Sequence, residues 1–221
     1  HSVLPPAFFQ GRMLDGSLHT WRGWSGQAML LPYIDQGALY DNCNFNIGII
    51  GDGPTESLNV NNTMQIIPAF RCPSDIDPSA TWYSMRYPGN NYALSLGTTT
   101  EWANSNNAVG MFGFIKSIKF RDALDGLSNT IAMAEICVGR GSYDIHSSVV
   151  RGVAWPGGNR QNPGVAAIQA YGQAIQAAYN ATPSNTHHHA GRLWALGQHS
   201  QSLFNTTATP NWPIPNGQEC T

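Results

Sequence analysis

The sequence predicts an α+β fold: one β-rich globular domain, with N-terminal helices packed on a mainly antiparallel sheet and long loops between the strands. Three observations carry that expectation. Several short apolar runs are bounded by Gly, Pro, Asn and Ser, the pattern of strands closed by turns. A capped apolar segment stands near the start, and a segment of strong helical period stands near the end. The polar surface is built from neutral groups: charged residues are 11% of the chain, against about 25% in an average globular protein. A length of 221 residues suits one large core, and residues 1–221 are read as a single domain.

Taken in order, Val3-Leu4-Pro5-Pro6-Ala7-Phe8-Phe9 is extended, because each proline steers the residue before it away from the α region. Ser25 is an N-cap for a helix over Gln27–Leu31. Pro32 ends or kinks that helix, and Asp35 starts a second turn through Tyr40. Gly48–Asn62, with Asp52 and Glu56, reads as a polar loop. Met64–Phe70 reads as a strand with an edge-type proline, running into the turn Arg71-Cys72-Pro73-Ser74-Asp75. Asn90–Gly97 and Gly110–Ile115 are further strand candidates, as are Thr130–Ala134 and Val149–Trp155. Val165–Asn180 is the clearest later helix, with Val165, Ile168, Tyr171, Ile175, Ala178 and Tyr179 at helical spacing and Gly172 weakening it slightly. From Phe204 to Thr221 the chain is mostly loop.

The stretch Phe120–Glu135 combines a compact turn, Asp125-Gly126-Leu127-Ser128-Asn129, with an apolar run that has the length of a buried strand, while its periodicity also suits a short helix. Asp-Gly is a turn dipeptide because glycine accepts positive φ and aspartate hydrogen-bonds its own backbone. Asp122, Asp125, Ser128 and Asn129 gather oxygen donors that suit a hard cation such as calcium. The same residues also suit a turn held by side-chain-to-backbone hydrogen bonds with no ligand.

Composition excludes several function classes. The net charge of −2, without a Lys/Arg-rich run, offers no electrostatic footprint for nucleic acid. No apolar stretch is long enough to span a bilayer. The four cysteines, Cys43, Cys72, Cys137 and Cys220, include no CxxC pair, which speaks against a metal knuckle or a thioredoxin-like site. Few charges and an even cysteine count favour an exported protein with two disulfides; of three pairings, Cys43 with Cys72 and Cys137 with Cys220 is preferred. A start at His1-Ser2-Val3 reads as a processed or truncated product whose export signal lay upstream.

Catalytic patterns are missing. There is no G-x-S-x-G elbow, no phosphate-binding glycine loop, and no spacing that pairs Asp35, Glu101, Asp122, Asp125, Glu135 or Asp144 for glycoside hydrolysis. His187-His188-His189 with His199 is the densest imidazole cluster, although adjacent residues cannot all face one ion. His1 as a mature N-terminus would offer an amine and an imidazole to copper, with His19 or His146 as a second donor. Trp21 and Trp24 suit either a sugar platform or a core. Asn61, Asn180 and Asn205 stand in Asn-x-Thr triplets.

A set of motifs in fixed order then resembles a known family. They are Val3-Leu4-Pro5-Pro6; Leu30-Leu31-Pro32-Tyr33-Ile34-Asp35-Gln36 with Ala38-Leu39-Tyr40; Asn44-Phe45-Asn46; and Phe70-Arg71-Cys72-Pro73-Ser74-Asp75. Asn91-Tyr92-Ala93, Phe120-Arg121-Asp122 through Glu135, Gly191-Arg192, Trp194 and Phe204-Asn205-Thr206 complete it. The chain resembles planctomycete-type proteins carrying the DUF1559 domain along nearly its whole length. The resemblance implies a type IV prepilin-like signal, a long apolar helix, a β-rich pilin-like head and a closing His/Asp-Gly signature. The upstream helix and the downstream signature are not in these 221 residues.

The implied function is an exported pilin- or pseudopilin-like structural protein, extracellular or at the cell surface, without enzymatic activity or cofactor. Its partners would be copies of itself or other pilin-like subunits, with membrane contact only through the missing helix. The family has also been labelled solute-binding. The alternative is therefore an extracellular glycan- or solute-binding module using Trp21, Trp82, Trp102 or Trp155 with Asn-rich loops.

Overall fold

The computed structural model describes residues 3–13, 15–18, 23–49, 54–78, 81–82, 84–101, 109–140, 144–188 and 190–218. Its architecture is α+β, with several small sheets in place of one large one. Strand β1 (Phe8–Phe9) pairs antiparallel with β2 (Trp24–Ser25). Ser25 then caps a 3-10 helix over Gly26–Tyr33, its Oγ accepting the Ala28 N–H at 3.3 Å and donating to the Trp194 carbonyl at 2.6 Å. Helix α1 (Gly37–Asn42) folds back against it. The helical hairpin expected from Ser25 and Pro32 is thus present, wound more tightly than an α-helix in its first arm.

Most of the Gly48–Asn62 segment, expected as loop, instead belongs to helix α2 (Pro54–Thr63). Local propensity argues against a helix in this Asn-rich segment, but tertiary bonds override it. Asn59 is fully buried; its Oδ1 accepts the Asn44 N–H at 2.9 Å and its Nδ2 donates to the Asn44 carbonyl at 3.0 Å. Met64–Phe70 is not a strand: Pro68–Phe70 is a 3-10 turn opened by its proline. Met64, Ile67 and Phe70 are buried while Ile66 is exposed, a spacing of three that suits a winding chain and not a pleated one.

The strands β3 (Thr81–Trp82) and β4 (Met85–Arg86) form a hairpin. The central sheet has the order β6-β5-β9. Here β5 (Tyr92–Ser95) lies between the antiparallel β6 (Met133–Glu135) and the parallel β9 (Leu203–Phe204). A third unit, ordered β10-β7-β8, places β7 (Val149–Arg151) between β8 (Thr186–His187) and the parallel β10 (Asn216–Gln218). The tail from Phe204, expected as mostly loop, therefore holds the end of β9 and all of β10, the edge strands of these two sheets. Helix α3 (Val165–Ala181) packs on β7 and β10, as its period predicts, with Ile175 against Val150 and Val153.

Gly110–Ile115 makes no extended strand; Phe114 forms one bridge to Phe8, their rings stacked at 4.4 Å. Thr130–Ala134 is not a buried strand. Only Met133 and Ala134 of it join β6, and Ile131 and Met133 are exposed.

The larger core gathers Trp24, Leu31, Ile67, Phe70 and Trp194 under the helical hairpin; a second lies around Phe8, Leu94 and Phe112. Buried amides join the layers: Gln27 and Asn90 exchange hydrogen bonds at 3.2 and 3.0 Å, and Asn90 Nδ2 also donates to the Gln201 carbonyl at 2.8 Å.

The expected Cys43–Cys72 disulfide is not formed, and Cys137 is also a free thiol. Cys43 is held in the larger core, where burial pushes its pKa up to about 11. The Cys72 Sγ lies 3.0 Å from the Ser74 hydroxyl on a different surface loop. Cys220 lies outside the described residues.

Candidate functional site

The stretch that dominates the sequence also forms the most unusual surface. Val3 bridges to Lys119, and Leu4 N–H donates to the Ile118 carbonyl at 2.8 Å, so the chain start lies directly beside it. From there Phe120–Asp122 makes a 3-10 turn, closed by the Lys119 N–H on Asp122 Oδ2 at 2.9 Å. Gly126 takes φ 85°, the left-handed conformation that an Asp-Gly turn requires. A second 3-10 turn, Leu127–Asn129, leads toward β6.

Ala123 and Ala132 pack inward on the core around Phe8. The larger side chains point out: relative exposure is 94% at Leu124, 52% at Leu127, 57% at Ile131 and 41% at Met133, with Phe120 at 39%. The outer edge of β6 is unpaired among the described residues, because β6 is the terminal strand of its sheet. One surface therefore joins exposed apolar side chains to an open strand edge.

The four oxygen donors singled out from sequence sit in this same stretch, all exposed. Asp122 is engaged by the Lys119 amide, and its other oxygen lies 4.0 Å from Arg121 Nε. Asn129 Nδ2 donates to the Asp125 carbonyl at 2.8 Å, and Thr130 Oγ1 to that of Gly126 at 3.0 Å. The turn chemistry expected of these residues is thus present.

Asp75 marks a second centre that sequence reasoning passed over as a plain turn. Its Oδ2 accepts from Val138 N–H at 2.8 Å and from Asn91 Nδ2, and its Oδ1 accepts from Ile76 N–H at 2.8 Å. Burial alone would raise its pKa. The Val138 and Ile76 amides, Asn91 and the Arg140 charge outweigh that and hold the carboxyl below its usual range. Asn91 also accepts the Cys72 N–H at 3.0 Å and donates to the Ile136 carbonyl at 3.0 Å. Two family-type motifs, Arg71–Asp75 and Asn91–Ala93, are thereby tied to the end of β6. The signal was Asp after a Pro-Ser turn, which sequence alone cannot distinguish from a solvated cap.

The remaining candidates are dispersed. Trp155 is buried, edge-on to Tyr171 at 5.1 Å, and Trp24 is fully buried, so neither is an open sugar platform. His188 Nδ1 lies 3.0 Å from the Ser148 hydroxyl. His199 keeps some exposure at its edge, yet dense packing pushes its pKa down to about 4 against the pull of the Glu101 carbonyl. His1, His19, His189, Asp52, Trp21 and Trp102 lie outside the described residues, as do the side chains of Glu56 and Trp82. Among the described residues no three His, Cys, Asp or Glu side chains come together, and no helix is long and apolar enough to cross a membrane.

Comparison with known proteins is sparse. No curated protein and no solved structure matches the chain. A family profile labelled SBP_bac_10, a solute-binding type of label, and described as a protein of unknown function (DUF1559), matches residues 2–212. That match covers every motif named above, from Val3 to Thr206, and the chain belongs to the DUF1559 family.

Proposed function

We propose that the chain is the head of an exported pilin- or pseudopilin-like surface structural protein, without enzymatic activity. Its 120–135 face makes the contact to the next subunit. One observation carries this: Leu124, Leu127 and Ile131 stand out to solvent beside an open strand edge. Each exposed apolar side chain retains burial energy of about 1.5–3 kcal/mol, which favours a second apolar surface over water. The position of Val3 against Lys119 supports the reading further, since a stalk entering at the N-terminus would emerge beside this face. The occupant is a second copy of the same subunit.

The test uses the full gene product in its own cells. A photocrosslinking residue at Leu124 is expected to yield a covalent dimer, and the double variant Leu124→Asp/Ile131→Asp is expected to abolish surface assemblies. The purified double variant should unfold at nearly the wild-type temperature, because both side chains are already exposed. Surface assemblies that persist unchanged in the double variant would overturn the proposal.

The alternative, an extracellular glycan- or solute-binding module, is favoured by a shallow groove of about 330 Å³ between α1 and α2. Gln36, Asn42, Asn62 and Gln65 line it with Leu39 and Ile66, amides for hydroxyl groups and an apolar floor. Saccharide-dependent amide shifts confined to these residues would support that role.

A further inference from the structure

A contact between copies of one chain is either isologous, the same patch on both, or heterologous, joining two different patches. A second patch of matching character lies between α1 and α2. Ala38, Leu39 and Asn42 of α1 face Asn62, Gln65 and Ile66 across a groove of about 330 Å³. Leu58, one helical turn before Asn62, shares its face of α2. Leu58 is 53% exposed and Ile66 56%. The groove overlies the larger core, which Leu39 joins, whereas Ala123 and Ala132 root the 120–135 face in the core around Phe8. The two patches are built over different cores.

The groove is held in shape by the chain itself. Asn62 Nδ2 donates to the Asn42 carbonyl at 2.7 Å, joining the two helices. Asn59 holds Asn44 through both ends of its amide, and Trp194 Nε1 donates to the Gln65 carbonyl at 2.9 Å from the core. Walls fixed in this way lose little freedom when a side chain enters. Leu124 is the most exposed of the large apolar side chains among the described residues, and it stands at the tip of a turn.

Charge distinguishes the two patches as well. Residues 23–70, which build the groove, carry Asp35, Asp41, Asp52 and Glu56 and no lysine or arginine. Asp35 and Asp41 stand exposed next to the lining residues Gln36 and Asn42. The chain's lysines are Lys116 and Lys119 alone; both are exposed and lead, with Arg121, into the 120–135 face. Arg121 meets Asp122 only at 4.0 Å. Lys116, Lys119, Asp35 and Asp41 form no ion pair among the described residues. Opposite charges on two patches steer and orient a contact between them, whereas the groove set against itself would bring like charges together.

We propose that subunits join head to tail, the 120–135 face of one seating in the α1–α2 groove of the next. Leu124 enters between Leu39 and Ile66, and Lys116, Lys119 and Arg121 lie toward Asp35 and Asp41. This inference rests on the subunit reading above and adds the receiving surface. A heterologous contact leaves a free groove at one end and a free face at the other, so it propagates into an open chain or closes as a ring.

The test maps where a photocrosslinking residue at Leu124 lands in the full gene product, by mass spectrometry of the crosslinked peptides. The expected partners are residues 36–42 and 62–66 of a second copy. Charge gives an independent check. Lys116→Glu/Lys119→Glu should weaken assembly by about tenfold, and adding Asp35→Lys/Asp41→Lys to the same chain should restore it. Both variants should unfold near the wild-type temperature, because all four side chains are exposed. Crosslinks to residues 120–135 of the second copy would mean a symmetric pair, overturning the head-to-tail contact while keeping the subunit reading. The absence of any crosslinked copy would overturn both. A charge exchange that fails to restore assembly would also sink the groove as receiver. So would an Ile66→Asp variant that assembles normally yet loses saccharide-dependent shifts, since the groove would then be a ligand site.

Discussion

Asn91 shows how much one side chain can organise. It accepts from Cys72, donates to Ile136 and meets Asp75, so Asn91→Ala strands three partly buried groups at once. The expected cost is about 3 kcal/mol, read as a lower urea midpoint with an unchanged slope. Thiol chemistry offers a second check at this scale. Unfolded without reductant, the chain should titrate Cys43, Cys72 and Cys137 as free thiols. In the native state Cys137, which is exposed, should react ahead of Cys43, although partial burial and the Asp75 charge raise its own pKa. Cys43 should react last, since it is buried and its pKa stands at about 11, leaving little thiolate near neutral pH. The disulfide expectation rested on cysteine count and composition. Neither carries the spatial separation of a core thiol from a surface loop.

Elements divide according to how local their causes are. The capped hairpin at Ser25 was legible because the cap and the proline act within a few residues. Ser25→Ala removes both the Ala28 cap and the Trp194 bond, with an expected loss of about 2 kcal/mol in chemical denaturation. Helix α3 was legible through its period. Helix α2 was not, because Asn59 acts through Asn44, fifteen residues away. Nor was the absence of a strand at Gly110–Ile115. Gly97, at φ +82°, and Gly110 pack backbone to backbone, a contact that consists of missing Cβ atoms and carries no local pattern. The exposure of Thr130–Ala134 was not legible either, since its apolarity suggests a buried strand: small Ala132 packs on the core, and Ile131 and Met133 face out.

For the whole molecule the clearest expectation concerns acid. His199 titrates near 4 in the fold and near 6.5 when unfolded, so between those values the unfolded chain binds more protons. Stability then rises with pH; it is intact above 6.5 and falls as pH drops toward 4, by about 3 kcal/mol. His187, shifted in the same direction, adds to the slope. Asp75, held below its usual value, keeps its contribution until pH falls through that lower pKa. Urea unfolding at several pH values between 4 and 7 should show a shallower slope for His199→Gln than for the wild type. An identical slope would show that His199 does not titrate on unfolding.

The sequence by itself determined the α+β class, the early helical hairpin, the long later helix and, through ordered motifs, the family. Each depends on local stereochemistry or on residue order. Only the tertiary structure decided which apolar residues remain in water at Leu124 and Ile131, and that Asp75 and Asn91 anchor the end of β6. Those outcomes depend on which distant backbone or charge comes to lie against a side chain, and the linear order of residues does not encode that distance.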